Sequence, residues 1–558
     1  MKQTMRFLLV AVAIVFGMTS CNEFKSMMDN PVSSYLELKT TSVSIVPGGT
    51  YQIEASSIST AKITYESSNP DVAIVDPSGK VTGIEDGEAT ITVRVEANDA
   101  YQAGATQFQV KVQSPLTLEA KADETTIFVN YLYGITLDEP IVYTIFSKEG
   151  LKKTVSITET TAIEVDKGDK VQFMSKNDHL ATGGWTSDPH VQINPTEECA
   201  VYGNVMSMIT PEGDFNTNKT IRKEHALSGL FNNNKLTSKW DDETQKWIYE
   251  YAIVNHDQYK LVLPATTLSN YCYSYMFSNS GLTEAPELPA TTLAQSCYQF
   301  MFSACSNLTK APQLPATTLA NGCYMGMFNT CQNLAEAPML PATKLANSCY
   351  YMMFGSSGLT EAPELPASTL ADYCYAYMFS SCTNLKKAPE LPATKLAQWC
   401  YDYMFSGSAI TEAPELKVED LTDFEGCYCG MFLNCYELTK APKLPAEKLS
   451  NYCYASMFQS CTQLEVAPVL PAAKLVYQCY KQMFYDCNKL KSLTCLATSM
   501  TDNSATQNWL QGAGASVDPA VECTFTKAAS ATWYNTTGLW DDSDGWNVTS
   551  RWTIKPAE

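Results

Sequence analysis

The chain has 558 residues, 38 Lys and Arg against 59 Asp and Glu, and a net charge of −21. That balance argues against nucleic acid as a partner, because phosphates need clustered basic groups, and suits a protein kept soluble by its own charge. Four histidines without metal-ligand spacing, and no phosphate loop or nucleophile elbow, leave no catalytic set, metal centre or cofactor site to assign.

Residues 1–21 carry Lys2 and Arg6, an apolar run from Phe7 to Phe16, and small residues leading to Cys21. This is the pattern of a signal peptide ending at a lipoprotein-type cysteine, with Met18 where leucine is usual. The apolar run is too short to span a bilayer. Cys21 is the expected lipidation site, its lipid the expected membrane link, and the expected location a bacterial outer membrane, facing the cell exterior. Residues 22–35 read as a polar tether.

Residues 36–113 alternate apolar and polar side chains in short runs, LELKTTSVSIVPGGTYQIEA and then ITYESSNPDVAIVDPSGKVTGIEDGEATITVRV, broken by Pro-Gly-Gly, Asn-Pro and Ser-Gly. Period two with such turns predicts a small β-sandwich. The stretch from Ser67 to Val93 resembles the bacterial Ig-like domain, group 2, with Tyr65 where that family usually has Trp. The resemblance implies a spacer domain of the kind common in adhesins. Residues 114–204, with FVNYLYGITL, PIVYTIF and KGDKVQFMS, read as a second small sandwich.

Residues 205–262 hold a degenerate first repeat, in which Leu230-Phe231 of ALSGLFNNNKL takes a Met-Phe position of the units that follow. The polar insertion from Thr237 to Tyr259, with Trp240, Trp247 and Tyr249, is expected to protrude from it as a loop. Residues 263–495 then write one unit nine times. Leu-Pro pairs begin at Leu263, Leu288, Leu314, Leu340, Leu365, Leu391, Leu444 and Leu470, with Leu416-Lys417 as the degenerate member, in steps of 25 to 28 residues. A fixed period of this size predicts a solenoid, whose coils share one continuous core.

Within a unit, CYxxMFxxC spaces Cys323, Met327 and Cys331 by four, which predicts a helical turn or two with these three facing inward. The following LxxAPxLPATxL carries two prolines, so only short strands on either side of them, in a parallel ladder, are expected. The 25-residue units lack the second Cys and one residue together, as in MFSNSGL and MFGSSGL. The joint recurrence of MF, Cys, Leu, Pro and the period resembles the BspA-like leucine-rich repeats of bacterial cell-surface proteins, from about Tyr202 to the end. That resemblance implies surface exposure and adhesion or host contact, without a defined ligand.

Residues 496–558 lose the period and read as a cap, with Trp509, Trp533, Trp540, Trp546 and Trp552 closing the core. DDSDG, at 541–545, lacks the spaced ligands of a calcium loop and reads as a solvated turn. The expected fold class is thus mainly β and multidomain, with two sandwiches, a solenoid of short strands and short helical turns, and a C-terminal cap. Eight residues at 1.5 Å per residue would hold Cys323 and Cys331 about 12 Å apart on a helix, beyond the reach of a disulfide. Buried thiols are favoured over bridges between coils. Tyr271 and Tyr275, Tyr373 and Tyr377, and Trp399 and Tyr403 recur four apart and are the candidate binding surface, against the plainer reading that they pack between coils. The expectation is a non-enzymatic, adhesin-like surface protein that contacts an unknown protein, or alternatively a glycan.

Overall fold

The structure, a computed structural model, describes residues 33–211, 214–243, 246–531 and 552–557. Cys21 and the signal-like run, most of the tether, Trp533, Trp540, Trp546 and the DDSDG string lie outside them. The chain divides into two compact units, up to Pro115 and from Leu116 onward. The fold is nearly all β, with no α-helix among the described residues.

In the first unit, strands Ser42–Ile45, Gly104–Val112, Gly87–Val95 and Ile63–Ser67 form a sheet in that order, and Thr50–Gln52, Lys80–Gly83 and Ala73–Val75 form a second. Alternation along GEATITVRV turns Ala89, Ile91, Val93 and Val95 inward. Ala89, Ile91 and Val93 meet Ile53, Val81, Phe108 and Val110 in one core, with Tyr65 packed against it. Gly79 closes the Asp76–Lys80 turn at φ +85 and lies against the Tyr65 ring, where a Cβ would meet Cζ at 2.6 Å.

The second unit begins as the expected sandwich. Gly150–Ile157, Ile141–Ser147, Lys170–Ser175, Leu116–Ala120 and Cys199–Asn204 make one sheet, while Thr161–Val165, Thr125–Leu132 and His190–Pro195 make another. The sandwich does not end at 204 as a separate module. Cys199–Asn204 pairs antiparallel with Leu116–Ala120 on one side and parallel with Ile253–Asn255 and Leu261–Val262 on the other. One strand thus converts the antiparallel sheet into the parallel bonding of the solenoid. Phe231 stacks on Phe277 at 5.6 Å, so the degenerate repeat is a true first coil. The insertion after it forms a hairpin, Lys235–Asp241 with Lys246–Tyr251.

The repeat itself differs from expectation in one respect. CYxxMFxxC is a chain of tight turns, not a helical segment. The amides of Tyr324, Gly326, Phe328 and Thr330 donate to the carbonyls of Cys349, Tyr351, Met353 and Gly355 in the next coil, at 2.7–3.1 Å. Those of Cys323, Met325, Met327, Asn329 and Cys331 donate three residues back within their own coil, at 3.0–3.3 Å. Alternate turns carry a left-handed residue at their third position, as a type II turn requires: Gly322, Gly326 and Thr330, at φ +58 to +63. Both members of Cys323-Tyr324 and of Met327-Phe328 are therefore buried. Prolines lack the N–H that a strand ladder needs. The parallel ladder is accordingly reduced through most coils to single bridges such as Thr267↔Thr292↔Thr318↔Lys344.

Stacking makes the core columnar. Tyr273, Tyr298, Tyr324, Tyr350, Tyr375, Tyr401, Tyr428, Tyr454 and Tyr480 form one file of near-parallel rings, with centroids 5.6–6.1 Å apart. Phe277 to Phe484 form a second at 5.6–5.9 Å. Trp509 stacks on Tyr480 and meets Phe525 edge-on, and with buried Trp552 it serves the expected cap. The parallel ladder nonetheless continues past residue 495, through Val466–Leu470, Ser492–Cys495, Cys523–Lys527 and Trp552–Pro556.

The 19 described cysteines are free and buried. Burial raises their thiols well above the ordinary range in the first column, as at Cys323, and to about 11 at Cys305 and Cys382. In the second column Cys305, Cys331, Cys382, Cys435, Cys461 and Cys487 donate to the Phe carbonyl of the preceding coil, at 2.9–3.1 Å. Ser280, Ser357 and Ser408 take that place in the 25-residue coils, within 3.4–3.7 Å of the next coil's thiol. The helical rise that separated Cys323 from Cys331 does not apply to a chain of turns. What the thiols do have is a hydrogen-bonding task of their own.

Candidate functional site

The turn chemistry decides where the candidate aromatic residues sit. Tyr271, Tyr275, Tyr373, Tyr377, Trp399 and Tyr403 all occupy left-handed positions, at φ +51 to +58. An L residue there costs about 1–2 kcal/mol relative to the right-handed region. Their side chains leave the coil on the side away from the Tyr and Phe files, half-buried for the most part, with Tyr373 40% exposed.

Gly326, Gly426 and Gly430, at these positions, are covered by the preceding coil's ring, while Gly322 lies against Ser296. A Cβ on Gly326 would lie 2.1 Å from Phe300 Cε1, one on Gly426 2.3 Å from Trp399 Cε3, and one on Gly430 2.7 Å from Tyr403 Cε1. The rings thus lean onto the next coil and pack between coils while keeping an outer edge in solvent. The expectation that they pack between coils describes how the rings lean, and their outer edges remain accessible.

The six fall into two groups rather than one surface. Tyr271 stacks on His225 at 4.9 Å, and Tyr275 lies between Trp185 at 6.2 Å and Phe300 at 5.1 Å. Further along, Tyr373 stacks on Trp399 at 6.4 Å and Tyr377 on Tyr403 at 5.0 Å, both within 5° of parallel. Tyr351 tilts against Tyr377, Trp399 reaches Tyr452 across the Gly426 coil, and Tyr452 meets Tyr477 edge-on.

Sequence reasoning missed Trp185, His225, Phe300, Tyr351, Tyr452 and Tyr477. Phe300 and Tyr452 occupy the same repeat positions as the named six and could have been found by alignment of the units. Trp185 comes from a loop of the sandwich, which no repeat position marks.

Asp402 was also missed. It is 7% exposed beneath the second group, and its Oδ1 has no hydrogen-bond partner. The Cys429 thiol donates to the same carboxyl. Burial pushes the Asp402 carboxyl up to about 7. Burial first, and then the charge of Asp402 among other neighbours, raises the hydroxyls of Tyr351, Tyr373, Tyr377 and Tyr403. The first group has its own polar atom without a partner, Nδ1 of His225, whose imidazole burial holds below the ordinary range.

Among the described residues no cluster of His, Cys, Asp and Glu could hold a metal ion, and no helix is long and apolar enough to cross a membrane. Comparison with curated proteins finds no match to the chain. Residues 35–104 match the bacterial Ig-like domain (group 2), in agreement with the two sheets of the N-terminal unit.

Proposed function

We propose that this is a non-enzymatic, lipid-anchored surface protein of the BspA-like leucine-rich-repeat kind. Its Ig-like domain acts as a spacer, and its solenoid presents the aromatic face to a partner protein, in the manner of an adhesin. The observation that carries the reading is the placement of Tyr373, Tyr377, Trp399 and Tyr403 at left-handed positions outside the core files. Large rings are held there against a local backbone cost, on one face, where aromatic side chains are the usual anchors of protein contacts. A glycan is the second reading, favoured by the exposed rings of Tyr373, Tyr477 and Trp185, which offer stacking surfaces.

Serine already stands at such positions in other coils, at Ser296, Ser348 and Ser456, so Tyr373→Ser with Trp399→Ser should leave the backbone intact. The chain without residues 1–21 is expected to bind immobilised host matrix protein and to leave a glycan array blank. The double variant should bind at least about tenfold more weakly, as loss of more than 1.4 kcal/mol at an anchor implies. Undiminished binding by the variant would reject this face, and array signal with no protein binding would favour the glycan. Anchoring is tested by labelling cells with a clickable fatty acid: label is expected on the wild type and absent from Cys21→Ser, and an unlabelled wild type would end the lipoprotein proposal.

A further inference from the structure

We propose that the Asp402 carboxyl, beneath the rings of Tyr373, Tyr377 and Tyr403, receives the guanidinium or ammonium group of a basic side chain on the partner protein. The inference rests on the reading of this face as a protein-binding surface and adds the chemistry of what it binds.

Three features of the site converge. Oδ1 of Asp402, in a residue 7% exposed, has no hydrogen-bond partner although the Cys429 thiol donates to the carboxyl, and a buried polar atom is rarely left unsatisfied without a role. Tyr373 stacks on Trp399 by one face and is 40% exposed, so a cation can lie over its other face, where a desolvated cation gains more than an exposed one. The charges that act on Tyr373 after burial are those of Asp402, Asp372 and Glu425, all acidic. A neutral sugar hydroxyl could satisfy the oxygen but would gain nothing from this field. A basic side chain satisfies the oxygen, the ring faces and the field together. Arginine fits best, since its planar fork can donate to the carboxyl while its plane lies on a ring. Tyr373, the most exposed of the rings that surround the carboxyl, is the one facing solvent.

A cation binds the ionised carboxyl and competes with its proton. The groups that face Asp402 are Tyr351, Tyr373, Tyr377 and Tyr403 and the thiol of Cys429, all raised by burial above their ordinary ranges and neutral between pH 6 and 8. Asp372 and Glu425 lie at the margin. Within that window Asp402, at about 7, is the group that changes charge. Its ionised fraction rises from about a tenth at pH 6 to about nine tenths at pH 8, so apparent affinity should rise about tenfold.

The test titrates the chain without residues 1–21, in 0.15 M salt, with an acetylated and amidated triarginine peptide, and in parallel with the neutral tricitrulline peptide and with tetramethylammonium. Wild type is expected to bind triarginine about tenfold more tightly at pH 8 than at pH 6. Asp402→Asn, nearly the same shape without the charge, should bind it weakly with no dependence on pH. Glu390→Gln removes the same charge at an exposed site elsewhere in the solenoid and should behave as wild type. Equal binding by wild type and Asp402→Asn at pH 8 would overturn the proposal, as would tricitrulline binding as well as triarginine. Tetramethylammonium binding as tightly as the peptide would make this a small-cation site and overturn the assignment to a partner's side chain. If any of these arises while Tyr373→Ser with Trp399→Ser still loses matrix-protein binding, the face stands and only the part given to Asp402 falls.

Discussion

At the scale of single residues, Asp402 couples the solenoid to pH. Its carboxyl titrates at about 7 in the folded chain against 3.8 ordinarily, so the folded state keeps a proton that the unfolded state has lost. Stability from this group is whole below about pH 4, falls as the pH rises towards 7, and stays diminished above it. The gap corresponds to at most about 4 kcal/mol. Asp402→Asn should match wild type at pH 4 and show stronger hydrogen-exchange protection of the coils around Tyr377 and Tyr403 at pH 8; no gain at pH 8 would mean that the carboxyl is not held out of water. This residue was not legible in the sequence, because its repeat position carries Ser274, Gln299, Met325, Tyr351, Ala376 and Cys429 in other coils and has no polarity of its own. The named aromatic residues were legible because each pair recurs at a spacing of four. Their left-handed backbone was not, since nothing in the identity of Tyr or Trp announces a conformation usually left to glycine.

At the scale of the coil, period and fold class could be read directly, whereas the local geometry could not. A spacing of four between Cys323, Met327 and Cys331 is shared by one face of a helix and by a chain of turns that repeats every four residues. The doublets Cys-Tyr and Met-Phe, with both members inward in every unit, were the distinguishing sign. The cysteines give this geometry a test. If they are thiols donating to Phe carbonyls, reductant should leave the melting temperature within about a degree, and alkylation after denaturation should modify them all. A bridge between neighbouring coils would instead contribute roughly 3 kcal/mol for a loop of one repeat, and several together would make reduction strongly destabilising. A large fall in melting temperature on reduction would therefore refute the thiol columns. Charge pairs such as Glu284 with Lys310 and Asp420 with Lys448 also join neighbouring coils, but both partners are exposed and such pairs add little.

At the scale of the molecule, the sandwich acts as the solenoid's first end. Cys199–Asn204 covers the edges of Ile253–Asn255 and Leu261–Val262, which would otherwise present unpaired backbone groups. A chain starting at Leu116 should remain monomeric, with coil protection unchanged, whereas one starting at Asn204 should self-associate in light scattering. A monomeric shorter chain would show that the sandwich is not needed as an end. The join between sandwich and solenoid was not legible in the sequence, because the same strand belongs to both arrangements and alternation of side chains is the same in either. The left-handed positions have a consequence for how such a chain can diverge. Across nine coils the tyrosine file never changes, while the position before the first cysteine of each unit reads Tyr271, Ser296, Gly322, Ser348, Tyr373, Trp399, Gly426, Tyr452 and Gln478. Every non-glycine residue bears a similar backbone cost there, and none joins the tyrosine or phenylalanine file, so exchanging one for another rewrites the outer face while the stack beneath is untouched. Recognition can therefore drift one coil at a time, independently of folding.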